Sequence, residues 1–100
     1  MGTTTRSTES PAGQVRLRYW ASVRAAAGVE EDVLDVEGAV TLDTLRDRVR
    51  RLHEDSDRFA AVLATCSVLV GDRPVGAQRP EAVHVRPGQT VEFLPPFAGG

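Results

Sequence analysis

The segment that follows Thr41 constrains the fold most, because its apolar residues have the spacing of a helix with one buried face. They recur at positions i, i+3, i+7 and i+10, as Leu42, Leu45, Val49 and Leu52. Thr41 is a good N-cap, and Asp43 lies in the first turn, where the helix dipole favours a negative charge. Burying four such side chains would contribute about 6 to 12 kcal/mol, comparable to the net stability of a domain. A second layer must therefore cover this face.

Strand patterns on both sides of this helix supply that layer. From Val15 onward apolar residues alternate with Arg16, Arg18 and Trp20, which is the period of a half-buried strand. An alanine-rich helix over 21–27, ended by Gly28, is predicted to connect it to a second strand at 33–36, with the two strands paired as a hairpin.

The C-terminal half predicts one more short helix and three strands. The helix covers 57–64 and has Phe59, Val62 and Leu63 on one side, and the strands cover 66–70, 83–85 and 90–94. The sequence 86–89, Arg-Pro-Gly-Gln, fits a type II turn, and the proline after Leu94 ends the last strand.

This order of elements predicts an α+β fold, a mixed sheet packed on one main helix. The chain of 100 residues has room for one domain, which we place at 14–94. Residues 1–13 are polar and are predicted to form a disordered tail, and residues 95–100 a flexible C-terminal tail that ends in Gly-Gly.

The composition favours no conventional active site. The single Cys66 cannot form an internal disulfide, and no Cys/His spacing predicts a metal site, so a reduced, cytoplasmic setting is expected. A net charge of −2 gives no general attraction to nucleic acid or membranes, and no apolar run is long enough for a span. His53 is predicted to complement the helix dipole, His84 to face solvent, and Cys66 to be a small apolar residue of a strand.

Two charged runs have a simple interpretation. Several of the arginines at 46, 48, 50 and 51 lie three or four residues from Asp43 or Asp47, which indicates a solvated helix face. The acidic residues of 30–37 indicate an acidic rim, although such a rim could also dock a basic partner.

The informative feature is the C-terminus, where the chain loses side-chain bulk after a stiff Pro95-Pro96 pair. The last residues are Phe97, Ala98, Gly99 and Gly100. Glycine has no Cβ, so its backbone can enter a narrow channel in whatever conformation the channel requires. From Pro95 to Gly100, six extended residues reach at most about 20 Å, enough to enter a partner's active site.

With these residues in view, the chain resembles the MoaD and ThiS type of ubiquitin-like sulfur carrier, and most closely the small subunit of molybdopterin synthase. The likeness extends from Val15 to Gly100. Four stretches carry it: VRLRYWASVRAAAG, VTLDTLRDRV, SDRFAAVLATCSVLVGDRPV and PGQTVEFLPPFAGG.

The resemblance implies a β-grasp fold and a carrier cycle without catalysis by the chain itself. An adenylating enzyme would activate the Gly100 carboxylate with ATP, and a sulfurtransferase step would convert it to a thiocarboxylate, with no cofactor bound by the carrier. Gly99 would lie in the narrow channel through which the C-terminus reaches ATP in the adenylating enzyme. The tail would then enter the large subunit of molybdopterin synthase, in a heterotetramer, and donate sulfur to the molybdopterin precursor.

Partner-binding residues are expected beside the tail. They are Phe93 or Leu94, whichever faces outward, together with Pro95, Pro96, Phe97 and Ala98. By alternation one residue of the Phe93–Leu94 pair must belong to the core. Three alternatives stay open: a carrier for thiamine, cysteine or another thiolated product, a ubiquitin-like protein modifier, and a plain interaction module.

Overall fold

The computed structural model describes residues 12–96, and within them the chain forms two sheets and three α-helices. The strands and helices, in chain order, are β1 (Ala12–Tyr19), α1 (Ala21–Ala27), β2 (Glu31–Glu37), β3 (Val40–Thr41), α2 (Leu42–Leu52), α3 (Asp57–Leu63), β4 (Ser67–Val70), β5 (Arg73–Pro74), a 3-10 helix (Pro80–Ala82), β6 (His84–Val85) and β7 (Thr90–Leu94). The predicted order of elements is confirmed.

The main sheet is mixed, with the strand order β2-β1-β7-β4-β5. The first and last strands, β1 and β7, are parallel neighbours, and the other pairs are antiparallel. The predicted hairpin of β1 and β2 around α1 is therefore confirmed. A second sheet pairs β3 with β6, and β3 was not predicted because two residues are too few to show a period.

Helix α2 begins as predicted, since the Thr41 hydroxyl accepts a hydrogen bond from the Thr44 amide at 3.2 Å. Leu42, Leu45 and Val49 are buried, but the prediction that Leu52 is buried is wrong, because 56% of it is exposed. The residue four positions after Val49 occupies the inner face instead: the His53 ring packs against Phe59 at a centroid distance of 4.5 Å.

The boundaries of β1 differ from the prediction at both ends. The strand begins at Ala12, before the predicted domain boundary at residue 14, because Gly13 pairs with Val36 through backbone groups that need no apolar pattern. It ends at Tyr19, and Ala21, which continues the alternation, instead opens α1 with a φ of +50°. The predicted helix end at Gly28 is confirmed, with a left-handed φ of +79°.

One apolar core lies between the main sheet and the helices. Fully buried residues come from every layer, among them Leu17 of β1, Leu45 of α2, Phe59 of α3 and Val91 of β7. The predicted type II turn before β7 also forms: the Gln89 amide donates to the Arg86 carbonyl at 3.1 Å, and Gly88 has a φ of +94°. As a result the last strand enters the middle of the sheet in a fixed register.

Candidate functional site

The C-terminal segment leaves the domain from the central strand of the five-stranded sheet. Strand β7 lies between β1 and β4, so both of its edges are hydrogen-bonded. Phe93 is in register with Tyr19 on one side and with Val68 on the other, and Leu94 is in register with Ser67. The chain therefore reaches Pro95 from a rigid base.

Phe93 belongs to the core, which corrects its prediction as a partner-binding residue. Its side chain is fully buried, and its ring stacks on Tyr19 at a centroid distance of 6.0 Å. Leu94 lies on the other face of the sheet and is half-buried. The alternation that made one of the pair a core residue is thus confirmed, and Leu94 is the residue available at the surface.

Beyond Leu94 the proline pair leaves the sheet. Pro95 is half-buried and Pro96 is exposed, and neither belongs to a strand because proline has no N–H to donate to a ladder. Phe97, Ala98, Gly99 and Gly100 lie outside the described residues, so their predicted roles stay predictions. Of the predicted disordered tail at residues 1–13, residues 1–11 lie outside the described part of the chain, whereas residues 12 and 13 belong to β1, so the prediction is wrong for these two.

Trp20 is a surface residue at this exit that was not predicted to bind a partner. Its amide donates to the Phe93 carbonyl at 3.2 Å, which places it beside Leu94. The side chain is 39% exposed, and the Arg18 guanidinium carbon lies 5.2 Å from its ring centroid. The signal was present in the sequence, because Trp20 continues the outward positions that Gln14, Arg16 and Arg18 fill with polar side chains.

The charges of the acidic rim are mostly used within the domain. Glu30 pairs with Arg24 at 2.9 Å, and Glu31 lies 3.7 and 3.9 Å from Arg16 and Arg18. The rim is therefore not a free acidic docking surface. Exposed pairs of this kind contribute little to stability, about 0 to 1 kcal/mol each.

The basic run of α2 is used in the same way. The Arg50 side chain pairs with Asp47, and Arg48 donates to the Asp35 carbonyl oxygen at 2.9 Å. The Arg50–Asp47 pair follows the predicted pairing along the helix, whereas Arg48 contacts β2 and Arg46 is half-buried, with its Nε buried and unbonded within residues 12–96.

A polar cluster below Phe93 fixes the end of α2 to the sheet. The Tyr19 hydroxyl donates to Asp32 Oδ2 at 2.7 Å, and His53 Nε2 lies 2.6 Å from the same oxygen. Burial, followed by the hydrogen bond and charge of Asp32, raises the pKa of Tyr19 well above its ordinary value. Tyr19 is therefore a permanent donor, and His53 has a structural partner that the sequence did not reveal. His84 is exposed, as predicted.

Cys66 is a partly buried residue just before β4 and not a reactive thiol. Its Sγ donates to the Val62 carbonyl at 3.4 Å, and it packs against the core. Burial raises the pKa of the Cys66 thiol to about 11, and the charge of Arg46 offsets only part of that shift. Since the thiolate is the nucleophile, this cysteine is unsuited to carry sulfur at neutral pH.

Residues 12–96 contain neither a candidate metal cluster nor a candidate membrane-spanning helix. Over that part of the chain no three His, Cys, Asp or Glu side chains are grouped so that they could hold a metal ion. None of the helices described there has the length and hydropathy needed to cross a membrane.

Comparison with known proteins identifies the family. A sequence model of the ThiS family matches residues 17–100. The chain belongs to the ThiS family. The predicted resemblance to ThiS and MoaD carriers is confirmed at this level, and the match includes the Gly-Gly segment. No curated protein is similar enough in sequence to be matched.

Solved structures show that this ThiS-family chain has the predicted β-grasp fold. The Haloferax volcanii HVO 2177 protein is 23% identical, with a TM-score of 0.69 over 89% of this chain and 88% of that one. SAMP1 from Haloferax volcanii is 19% identical, with a TM-score of 0.70 over 88% and 100%. In the complex of subunits 1 and 2 of the molybdopterin-converting factor from Helicobacter pylori, the matched chain is 18% identical, with a TM-score of 0.54 over 87% and 99%. Because all three structures are less than 25% identical to this chain, the likeness shows a shared fold and nothing more.

Proposed function

We propose that this protein is a sulfur carrier for molybdopterin synthesis, the small subunit of a molybdopterin synthase, with Gly100 as the residue that carries sulfur. The observation that carries the proposal is the ThiS-family match, which extends through Gly100. The last described strand, β7, lies at the centre of the sheet and fixes the point from which the C-terminal residues continue. The LPPF sequence at 94–97 favours this branch over other thiolation pathways, and the likeness in fold to a chain of the Helicobacter pylori molybdopterin-converting factor supports it.

The proposed loading has two steps on the terminal carboxyl group. In the first, the Gly100 carboxylate attacks the α-phosphorus of ATP in an adenylating enzyme, and pyrophosphate leaves. In the second, hydrosulfide attacks the acyl carbon and AMP leaves to give the thiocarboxylate; if the nucleophile is instead a sulfurtransferase persulfide, AMP leaves an acyl disulfide, and a thiol reductant cleaves its S–S bond to release the thiocarboxylate. Carboxylates need this activation because they are poor electrophiles. The sulfur nucleophile of the second step must come from outside the carrier, because Cys66 of the carrier is held in its protonated form by burial.

The carrier itself contributes a C-terminal segment that is long enough and narrow enough to enter an active site, and a surface that docks on the enzyme. Trp20 and Leu94, which we call the exit patch, directly follow the paired residues Tyr19 and Phe93, so their backbones lie together at the end of β7. Large aromatic side chains dominate interface energetics, so this patch would hold the domain against the enzyme while the tail enters the active site. Phe97, three residues beyond Leu94, would extend the contact.

The proposal is tested by reconstitution with the adenylating enzyme, ATP and a sulfur source, followed by transfer to the large subunit. Thiocarboxylate is measured by intact mass and molybdopterin by fluorescence after oxidation. Deleting Gly100 withdraws the carboxyl by about 3.5 Å, and since a displacement near 1 Å can cost about a hundredfold, we expect transfer to be lost. Replacing Gly99 with Val should block the channel with a similar loss.

Both variants should keep the melting temperature of the parent chain, because residues 99 and 100 follow the last strand and both prolines. Molybdopterin formation at the normal rate after deletion of Gly100 would contradict the carrier mechanism and favour an interaction module.

A second candidate function is protein modification through an isopeptide bond at Gly100. The likeness to SAMP1, a small archaeal modifier protein, at a TM-score of 0.70 is the observation that favours it. Intact mass spectrometry of the protein from its native cell distinguishes the two. Replacement of one oxygen by sulfur supports a carrier, whereas attachment to other proteins supports a modifier.

A further inference from the structure

A groove far from the tail is lined by basic and apolar residues. It lies between the β4–β5 hairpin and the segment that runs from the 3-10 helix to β7, and its volume is about 410 Å³. Its basic side chains are Arg73, His84 and Arg86, all exposed. We call it the basic groove.

The charge of the basic groove is not balanced by the described residues that line it. Among residues 12–96, none of its lining residues is an aspartate or glutamate, and neither Arg73 nor Arg86 forms an ion pair. The groove on the outer face of the sheet is different, because its arginines share it with Glu31, Asp72 and Glu92. The basic groove therefore carries a local excess of positive charge, although the net charge of the whole protein is −2.

The other polar groups of the groove are already bonded within the domain. Gln78 Nε2 donates to the Val75 carbonyl at 3.1 Å, and Gln89 Oε1 accepts from the Arg86 amide at 2.8 Å. Val70, Val75 and Val83 are buried and form apolar walls. Guanidinium groups above apolar walls attract anions more strongly than the same groups in open water, because the field is focused there.

We propose that the basic groove binds an acidic peptide segment of a partner protein. Arginine recognises carboxylates through two parallel hydrogen bonds. Arg73 lies in β5 and Arg86 follows β6, so the two guanidinium groups can each bind a different acidic side chain of one peptide. The apolar walls suit the aliphatic parts of a peptide. A compact phosphate site would instead be built from converging backbone N–H groups.

The position of the groove makes it a second contact, separate from the exit patch. Gln89 lines the groove and Leu94 begins the exit, and the five residue steps between them along β7 span about 17 Å. A partner that bound both places would be oriented along β7. Peptide binding in the basic groove of the free chain does not depend on the sulfur chemistry of the C-terminus.

Binding of a fluorescein-labelled hexaglutamate peptide to the full chain, followed by anisotropy, tests the proposal, with a hexaglutamine peptide as the probe without charge. We expect the R73Q/R86Q variant to bind hexaglutamate about tenfold or more weakly than the parent chain. The matched control R51Q/R58Q removes the same charge from exposed sites on α2 and α3 and should change binding by less than about twofold. Raising salt from about 0.1 M to about 1 M should abolish the difference, because the Debye length falls from about 10 Å to about 3 Å.

Three results would overturn the proposal. The first is hexaglutamate binding that is absent or equal in R73Q/R86Q and R51Q/R58Q. The second is binding of hexaglutamine as tight as that of hexaglutamate. The third is tighter binding of inorganic phosphate or of a thymidine oligonucleotide in competition at the same groove, which would assign it to a small anion or to nucleic acid. Thermal melts of both variants confirm that the fold is unchanged, as expected for substitutions of exposed side chains.

Discussion

Trp20, whose side chain is exposed at the end of β7, is the residue through which we propose that the chain contacts an adenylating enzyme. Truncation of a central aromatic residue at an interface costs about 2 kcal/mol or more, so Trp20→Ala should raise the KM for the carrier by about thirtyfold. The assay is the initial rate of thiocarboxylate formation against carrier concentration. Leu52→Ala is the control, since Leu52 is a large exposed apolar residue on the helix side and should leave the KM unchanged. Equal effects of the two substitutions would contradict a specific exit patch.

Also at the residue scale, Cys66 should resist alkylation. With its pKa raised to about 11 by burial, the fraction present as thiolate at pH 8 is small. We expect iodoacetamide to react about a hundredfold more slowly than with an ordinary cysteine, and the rate should rise with pH up to about 11. The double variant C66S/S67C moves the thiol to an exposed position and should react at the ordinary rate. Rapid alkylation of the parent chain at pH 8 would contradict the burial.

At the element scale, helix α2 offers a pair of leucines that test which of its faces is buried. Leu45 is fully buried and Leu52 is 56% exposed, although both fit the same apolar spacing. Leu45→Asp buries an unpaired charge and should destabilise the domain by about 4 kcal/mol or more, enough to unfold most small domains. Leu52→Asp should change the free energy of unfolding by less than about 1 kcal/mol. Urea unfolding followed by circular dichroism compares the two, and similar midpoints would show that the helix is turned differently.

The helices and strands also show why the sequence patterns predicted some element boundaries accurately and missed others. Helix α1, α3 and strand β7 were predicted to within a residue, because a capping residue, a glycine or a proline marks their ends. Strand β3 has two residues and no such mark, and Leu52 lies at the margin of the apolar stripe. His53 replaces it because its ring finds Asp32 and Phe59, which are distant in sequence.

At the scale of the whole molecule, the first residues should be dispensable for the fold. Strand β1 and its pairing with β2 begin at Ala12. Deletion of residues 1–11 should therefore leave the melting temperature within a few degrees of the parent chain, and sulfur transfer unchanged. Deletion of residues 1–15 also removes the buried Val15 and its pairing with Leu34, and should lower the melting temperature strongly. A large loss from the shorter deletion would contradict this boundary.

The sequence by itself determined the class of fold, the order of most elements and the tapering Gly-Gly end, because these depend on local periodicity, capping and the absence of side-chain bulk. Tertiary structure decided which residues meet. The parallel pairing of β1 and β7 puts Trp20 beside Leu94 and buries Phe93, and chain return after β5 brings Arg73, His84 and Arg86 around one groove. These contacts join residues up to about seventy positions apart, and no local pattern records them, since each side chain is selected by packing and charge in the folded state.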